Sequence, residues 1–239
     1  MEPFSEQGKP PRVAQAVCVA GERIDVTTPQ DVSWRIFKIL AEFVGGFELL
    51  RQVDLAVTFY GSARTKPGDP YYQSAYRLAN ALAQEGFSII TGGGTGIMEA
   101  ANRGAFEAGG TSIGLNIRLP HEQVGNRYTT HSYEFHYFFV RKVLLTYASE
   151  AFVFYPGGFG TLDELAEILT LVQTKKVQPL PIILVGKSHW APLVAWMRET
   201  LAPGNRFIDR ADLQLLTLVD SEEEAFDMLT RSPLAPHTP

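Results

Sequence analysis

Between Pro156 and Glu164 the sequence reads PGGFGTLDE, three glycines and a threonine running directly into two carboxylates. Glycine-rich turns that open a helix let backbone N–H groups approach an anion, and the helix dipole favours negative charge there. Gly157, Gly158, Gly160 and Thr161 are therefore candidates to hold a phosphate. Thr161-x-x-Glu164 also has capping-box spacing, in which the Thr oxygen accepts from the third N–H and Glu164 folds back onto the Thr161 N–H. The chemical alternative is a carboxylate facing the neutral, reacting part of a phosphorylated ligand, because the phosphate itself would repel it. Spacing alone leaves both readings of Glu164 open. Asp163 reads as a solvated first-turn acid that favours the dipole.

A second loop, Gly92-Gly93-Gly94-Thr95-Gly96, and a Gly61-Ser62 pair each follow an apolar run. Two glycine-rich loops in one domain favour phosphate binding over tight turns alone. Neither loop has the G-x-G-x-x-G dinucleotide spacing, and no G-x-x-x-x-G-K-[ST] loop is present. A mononucleotide or sugar phosphate is the better expectation than NAD or a nucleoside triphosphate. Two cations, Arg141 and Lys142, follow the aromatic run Tyr137-Phe138-Phe139. They are either a solvated surface pair or a site in which Arg141 reaches a cleft. There a guanidinium can hold phosphate or ribose oxygens through fork-like hydrogen bonds.

These groups act together only if the fold brings separate strand ends to one edge. Apolar runs at 55–62, 87–94, 111–117, 151–155, 181–186 and 214–219 read as strands. Helical patterns at 70–85, 97–108, 136–149, 161–174, 189–201 and 221–230 lie between and after them, with 118–132 a polar stretch. The alternation predicts an α/β fold: a Rossmann-like, doubly wound parallel sheet with helices on both faces. Ligands of such sheets bind beyond the carboxyl ends of the strands. The candidate loops follow the first, second and fourth expected strands. Residues 1–50 read as an N-terminal helical extension, 51–231 as a nucleotide-binding catalytic domain, and 232–239 as a flexible tail. In the extension, Thr28 suits an N-cap with Pro29 and Asp31 in the first turn. Val32, Ile36, Ile39, Leu40 and Phe43 follow at helical spacing, and Gly45-Gly46 is expected to break or bend the helix.

Composition narrows the function classes. At 239 residues and 45% hydrophobic, the chain can bury a sizeable core. A net charge of −5 with no basic block argues against a nucleic-acid polymer as partner. The single Cys18 excludes an internal disulfide. No metal-ligand spacing connects His121, His131 and His136, which read as loop or interface residues. The N-terminus lacks a signal-peptide pattern, and no apolar run reaches the ~20 residues of a membrane span. A soluble cytoplasmic protein with no membrane partner is expected.

TGGGTGIMEAANRGA, the Arg-Lys of FFVRK and PGGFGTLDE, in that order, together resemble the LOG ("Lonely Guy") family, whose motif is PGGxGTxxE. The resemblance covers about residues 54–230, and the N-terminal extension and GLNIRLPHEQ look more like the longer bacterial members. Members are phosphoribohydrolases acting on cytokinin riboside 5′-monophosphates and, in many bacteria, on AMP, and they are often mislabelled lysine decarboxylases. The resemblance implies Arg141 and Glu164 as the catalytic pair. It implies Gly157, Gly158, Gly160 and Thr161 as the phosphate loop, with Gly92, Gly93 and Gly94 beside it and Gly96 and Ser62 in the same cleft. Lys142, Glu122 and Thr170 match positions of substrate contacts. It further implies a small-molecule nucleoside monophosphate as partner, no cofactor or metal, and a homodimer or higher homo-oligomer. The chain also resembles molybdenum-cofactor carriers, which share a GGGTGIM-type loop but lack the full PGGxGTxxE and Arg-Lys set. Decarboxylation would need pyridoxal phosphate on a lysine, and no lysine sits in a recognisable site for it. Phe135, Phe138 and Phe159 are read either as the walls of a base pocket or as core and dimer contacts.

Overall fold

The computed structural model describes residues 17–19, 22–24, 29–51, 53, 55–119, 125–205 and 207–231. The expected cap at Thr28, the tail at 232–239, and His121 and Glu122 lie outside the described residues. A short antiparallel hairpin, β1 (Val17–Val19) and β2 (Glu22–Ile24), precedes α1 (Pro29–Leu50). The body then runs β3 (Ala56–Tyr60), α2 (Pro70–Gln84), β4 (Ser88–Thr91), α3 (Ile97–Glu107), β5 (Ser112–Ile117) and β6 (His131–Phe135). It continues through α4 (Phe138–Tyr147), β7 (Ala151–Phe154), α5 (Phe159–Gln173), β8 (Ile182–Val185), α6 (Lys187–Trp196), β9 (Leu216–Val219) and α7 (Glu222–Arg231).

Every residue of β3, β4, β7 and β8 is buried. Such near-continuous apolar strands are what a sheet covered on both faces requires. Alternate side chains of β7 feed two separate cores, since successive residues of a strand point to opposite faces. Phe152 and Phe154 join Phe135, Leu144, Ile168 and Trp190 on one face. Ala151 and Val153 join Phe59, Tyr72, Leu78, Ile89 and Ile97 on the other.

The seven strands are all parallel, in the order β6-β5-β4-β3-β7-β8-β9. The chain enters at β3, winds outward to β6, returns to β7 beside β3, and winds the other way to β9. This is the expected doubly wound sheet, and its direction of winding reverses between β3 and β7. No helix among the described residues is long and apolar enough to cross a membrane.

Two local expectations change. Residues 131–135 form the edge strand β6, which begins at the end of the polar stretch 118–132 and is not among the expected strands. An edge strand pairs on one side only, so His131, Ser132 and Glu134 stay exposed while Phe135 is buried, and the apolar signal is weak. The PGGFGT loop therefore follows the fourth expected strand but the fifth of the sheet. Gly45 and Gly46 do not break α1, which runs on to Leu50. A Cβ on Gly45 would lie 2.6 Å from the Tyr133 ring, and one on Gly46 would collide with Leu144 Cδ1. The pair lets α1 approach β6 and α4 closely, at some loss of helix propensity.

That approach has a polar component. Glu42 on α1 accepts hydrogen bonds from the backbone N–H groups of His136 (2.9 Å) and Tyr137 (3.1 Å), the residues that lead into α4. Phe47 meets Tyr147 edge-on at 4.7 Å farther along the same contact. The N-terminal helix thus anchors the start of the helix that carries Arg141. Glu42→Ala is expected to cost about 1–2 kcal/mol, the range for loss of a helix cap. Urea denaturation should place Glu42→Gln, which keeps one acceptor, between that variant and the wild type.

Candidate active site

A cavity of about 730 Å³ opens where the sheet reverses its winding, beyond the ends of β3, β4, β5 and β7. Its walls include Tyr60 at the end of β3, Ser62 and Arg64 after it, Gly92 to Gly94 after β4, and Asn116 and Ile117 of β5. Phe138 and Arg141 of α4 and the segment Gly158 to Glu164 complete it.

The loops are laced together by backbone. Ser62 N–H donates to Pro156 O at 3.0 Å, and Ile97 N–H donates to Ser62 O at 3.1 Å. Gly93 takes a left-handed φ of 69° so that its N–H reaches Thr91 Oγ1 at 2.8 Å. Thr91 Oγ1 in turn donates to Asn102 Oδ1, whose Nδ2 donates to Ser112 Oγ at 2.9 Å. Asn126 adds bonds from Nδ2 to Gly94 O and to Asn102 Oδ1. A satisfied, buried network of this kind rigidifies what it touches; here it fixes the glycine loop against α3 and β5.

The side chains that reach the cavity do so because glycines clear their paths. A Cβ on Gly92 would collide with Arg141 Nη2. The Arg141 guanidinium lies deep in the wall, with Nε donating to Leu115 O at 2.7 Å. Burial lowers its pKa from the ordinary arginine value, partly offset by the nearby Glu164 and Tyr60; a guanidinium so placed still carries its charge.

Helix α5 begins two residues earlier than its pattern predicted, at Phe159, with Gly158 as N-cap and no side-chain cap bond. This overturns the capping-box reading, because Thr161 sits at the third helical position and Glu164 at the sixth. The N–H groups of Phe159, Gly160 and Thr161 precede the first intrahelical bond, from Leu162 N–H to Gly158 O, and remain free for an anion. Asp163 is likewise no first-turn acid; it pairs with Lys142 at 2.6 Å.

Glu164 is 8% exposed, and its Oε2 has no hydrogen-bond partner. Burial pushes its carboxyl up to about 7; the positive charges of Lys142 and Arg141 oppose that shift, and Glu167 and Asp163 add to it. A carboxylate that titrates near neutrality can serve as a base or as a stabiliser of positive charge.

Of the residues singled out by sequence, Ser62, Gly92, Gly93, Gly94, Arg141, Gly158, Gly160, Thr161 and Glu164 share the cavity wall. Gly157 and Gly96 sit just behind it: a Cβ on the first would collide with Thr161 Oγ1, and one on the second with Ser62 O. Lys142 does not line the cavity; its Nζ is held by Asp163 and, at 3.0 Å, by Glu167. Thr170 is exposed three turns along α5 and donates to Ala166 O. Phe138 and Phe159 line the cavity, whereas Phe135 is buried in the core. Tyr60, Arg64 and Asn116 escaped the sequence reading. Asn116 alone left a signal, as a polar residue near the end of an apolar strand.

The family model described as "possible lysine decarboxylase" matches residues 98–229. A probable cytokinin riboside 5′-monophosphate phosphoribohydrolase of Oryza sativa subsp. japonica is 32% identical over 155 residues, 61% of this chain. The match spans 60% of that relative's length. A cytokinin riboside 5′-monophosphate phosphoribohydrolase of Rhodococcoides fascians is 25% identical over 160 residues, 64% of this chain and 79% of the relative. Among solved structures, the molybdenum cofactor carrier protein of Chlamydomonas reinhardtii superposes with a TM-score of 0.56 at 22% identity, over 74% of this chain and 97% of that one. That likeness bears on the fold alone. With more than half its length matched by the family model, and with phosphoribohydrolases among its relatives, the chain belongs to the LOG family.

Proposed function

We propose that this protein hydrolyses the N-glycosidic bond of a nucleoside 5′-monophosphate, AMP or a cytokinin riboside 5′-monophosphate, to free base and ribose 5-phosphate. The observation that carries the reading is a buried carboxylate with an unpartnered oxygen, Glu164, in the same cavity as a free helix N-terminus and a guanidinium. Those three groups match the three parts of such a ligand. The N–H groups at the start of α5 bind the 5′-phosphate, where the dipole favours negative charge. Binding energy from that non-reacting group positions the scissile bond. As the bond to the base lengthens, positive charge builds on the ribose ring, as in glycoside hydrolysis. Ionised Glu164 stabilises that charge at C1′ and orients or deprotonates the attacking water. Arg141, fixed through Leu115 O, holds the nucleotide and completes the charge pattern around the ribose.

The test is release of adenine and ribose 5-phosphate from AMP by the wild type, Glu164→Ala and Arg141→Ala. A wild type that releases base from no nucleoside monophosphate sinks the hydrolase reading, and fully active variants sink the site assignment. Tight ligand binding without turnover would instead favour a carrier. A pyridoxal-dependent decarboxylase is not supported, because no lysine among the described residues lines the cavity.

The reading extends to a homodimer. Val32, Ile36, Leu40 and Val44 of α1 are 42–69% exposed at helical spacing. Phe139, Val143 and Tyr147 form a second exposed stripe on the adjoining α4. Apolar surface of this extent marks an interaction site. Sedimentation equilibrium is expected to give a dimer at micromolar concentration and a monomer for the pair Leu40→Glu and Val44→Glu; a monomeric wild type refutes the dimer.

A further inference from the structure

Lys142 is the member of the Arg-Lys pair that does not line the cavity. Its Nζ donates to Asp163 Oδ2 at 2.6 Å and meets Glu167 Oε2 at 3.0 Å, the second as a charge contact without hydrogen-bond alignment. The lysine side chain is only 17% exposed, so salt screens these contacts less than it would on an open surface. Both partners belong to α5, so one α4 side chain ties the two helices together.

The consequence follows from chain position. Arg141 precedes Lys142, Glu164 follows Asp163, and both Arg141 and Glu164 line the cavity. Asp163, Glu164 and Glu167 fall within little more than one turn of α5, where residues three and four apart are neighbours. Carboxylates so close repel one another, and each raises the proton affinity of the others. Lys142 answers the outer two. Among the described residues neither Glu164 nor Arg141 enters an ion pair. The charges around Glu164 come from both helices: Lys142 and Arg141 oppose the rise in its pKa that burial, Glu167 and Asp163 produce. Tyr60 of β3, which lines the same cavity, is held protonated by burial and adds no charge.

We propose that Lys142 is a positioning residue and not a ligand contact: by binding Asp163 and Glu167 it locks α5 to α4 and leaves Glu164 free for the ligand. The sequence resemblance implies a substrate contact for Lys142, and the two roles have different signatures. What Glu164 is kept free for, the charge at C1′, rests on the hydrolase reading.

Three proteins separate the roles: Lys142→Met, Lys142→Arg, and the double variant Asp163→Asn with Glu167→Gln. Urea midpoints establish which of them fold. The Glu164 carboxyl is titrated in the ligand-free proteins by carbon NMR, with Glu164→Gln to assign its signal. Lys142→Met is expected to move that titration up by about one pH unit, the effect of losing a nearby opposite charge. The double variant should move it down, and Lys142→Arg should stay near the wild type. Calorimetric binding of ribose 5-phosphate at pH 8 should change by no more than about twofold in Lys142→Met. Loss of a direct charged contact would instead weaken it by about tenfold or more. Such weakening, or an unmoved titration, overturns the proposal; if Lys142→Met does not fold, the downward shift of the double variant decides. Base release from AMP is measured in parallel. In Lys142→Met kcat/KM should fall about tenfold at pH 6, the equivalent of one pH unit, and recover at pH 9. A wild type that releases no base sinks the hydrolase reading, while titration and binding still judge Lys142. Base release with an unmoved titration would do the reverse.

Discussion

Glu164→Gln is expected to lower base release from AMP by about 10³-fold while making the ligand-free protein more stable above pH 7. The activity loss follows from removing the negative charge that the proposed hydrolysis places at C1′, and losses of this size accompany removal of a general base or an electrostatic stabiliser. The stability gain follows from the raised carboxyl. An acid whose pKa rises from 4.5 to about 7 on folding binds more protons in the folded state between those values. Stability therefore falls as pH rises through that window, and the deficit is complete above about pH 7, where it amounts to at most about 3 kcal/mol. Glutamine keeps the shape without the charge and escapes the deficit. Urea denaturation at pH 5 and pH 8 should show the gap between variant and wild type opening at the higher pH. In the wild type, kcat/KM should rise with pH through about 7 as Glu164 ionises. A glutamine variant less stable than wild type at pH 8 would mean that the carboxylate serves the fold, and the catalytic assignment would fail.

Gly96→Ala should have the largest effect on the fold. Gly96 is the N-cap of α3 with φ 70° and ψ −128°, a conformation in which a side chain is strained wherever it stands. The added Cβ would collide with Ser62 O and lie 2.9 Å from Ala63 Cα. Both are backbone atoms of the loop after β3, and Ser62 is tied to Pro156 O and Ile97 N–H. Relief would require three loops of the cavity to move together. A destabilisation of about 3 kcal/mol or more is expected, read as a fall in Tm, together with loss of sugar-phosphate binding. Gly160→Ala is the control: it has no positive φ, and a Cβ there meets nothing within 4 Å. Its Tm should hold or rise slightly. Equal falls for the two variants would refute the steric account of Gly96.

Much of this site could be read along the chain, because its parts are local. A strand buried on both faces must be a short apolar run, so β3, β4, β5 and β7 announced themselves. The loops that follow β4 and β7 needed glycine wherever a backbone turns left-handed or a neighbour presses close, as at Gly93 and Gly96. Residues 131–135 went unread because an edge strand keeps polar side chains in solvent and loses its pattern.

Residue order alone was enough for the alternation of strands and helices, the two glycine loops and the candidates Arg141 and Glu164. Tertiary structure decided what each side chain meets. Arg141 and Lys142 are neighbours in sequence, but a helix turns about 100° per residue, as 3.6 residues per turn require. One points into the cavity, and the other is taken by Asp163 and Glu167. Glu164 fitted a cap equally well until α5 was found to begin at Phe159, which carries the carboxylate past the helix end and onto the cavity wall. Tyr60 was the last residue of a mostly apolar strand until the order of the strands brought it to the same cavity wall as Glu164. Propensity and periodicity record a residue's own stretch of chain; which stretches share a cavity depends on strand order and helix rotation, and those exist only once the sheet has closed its two cores.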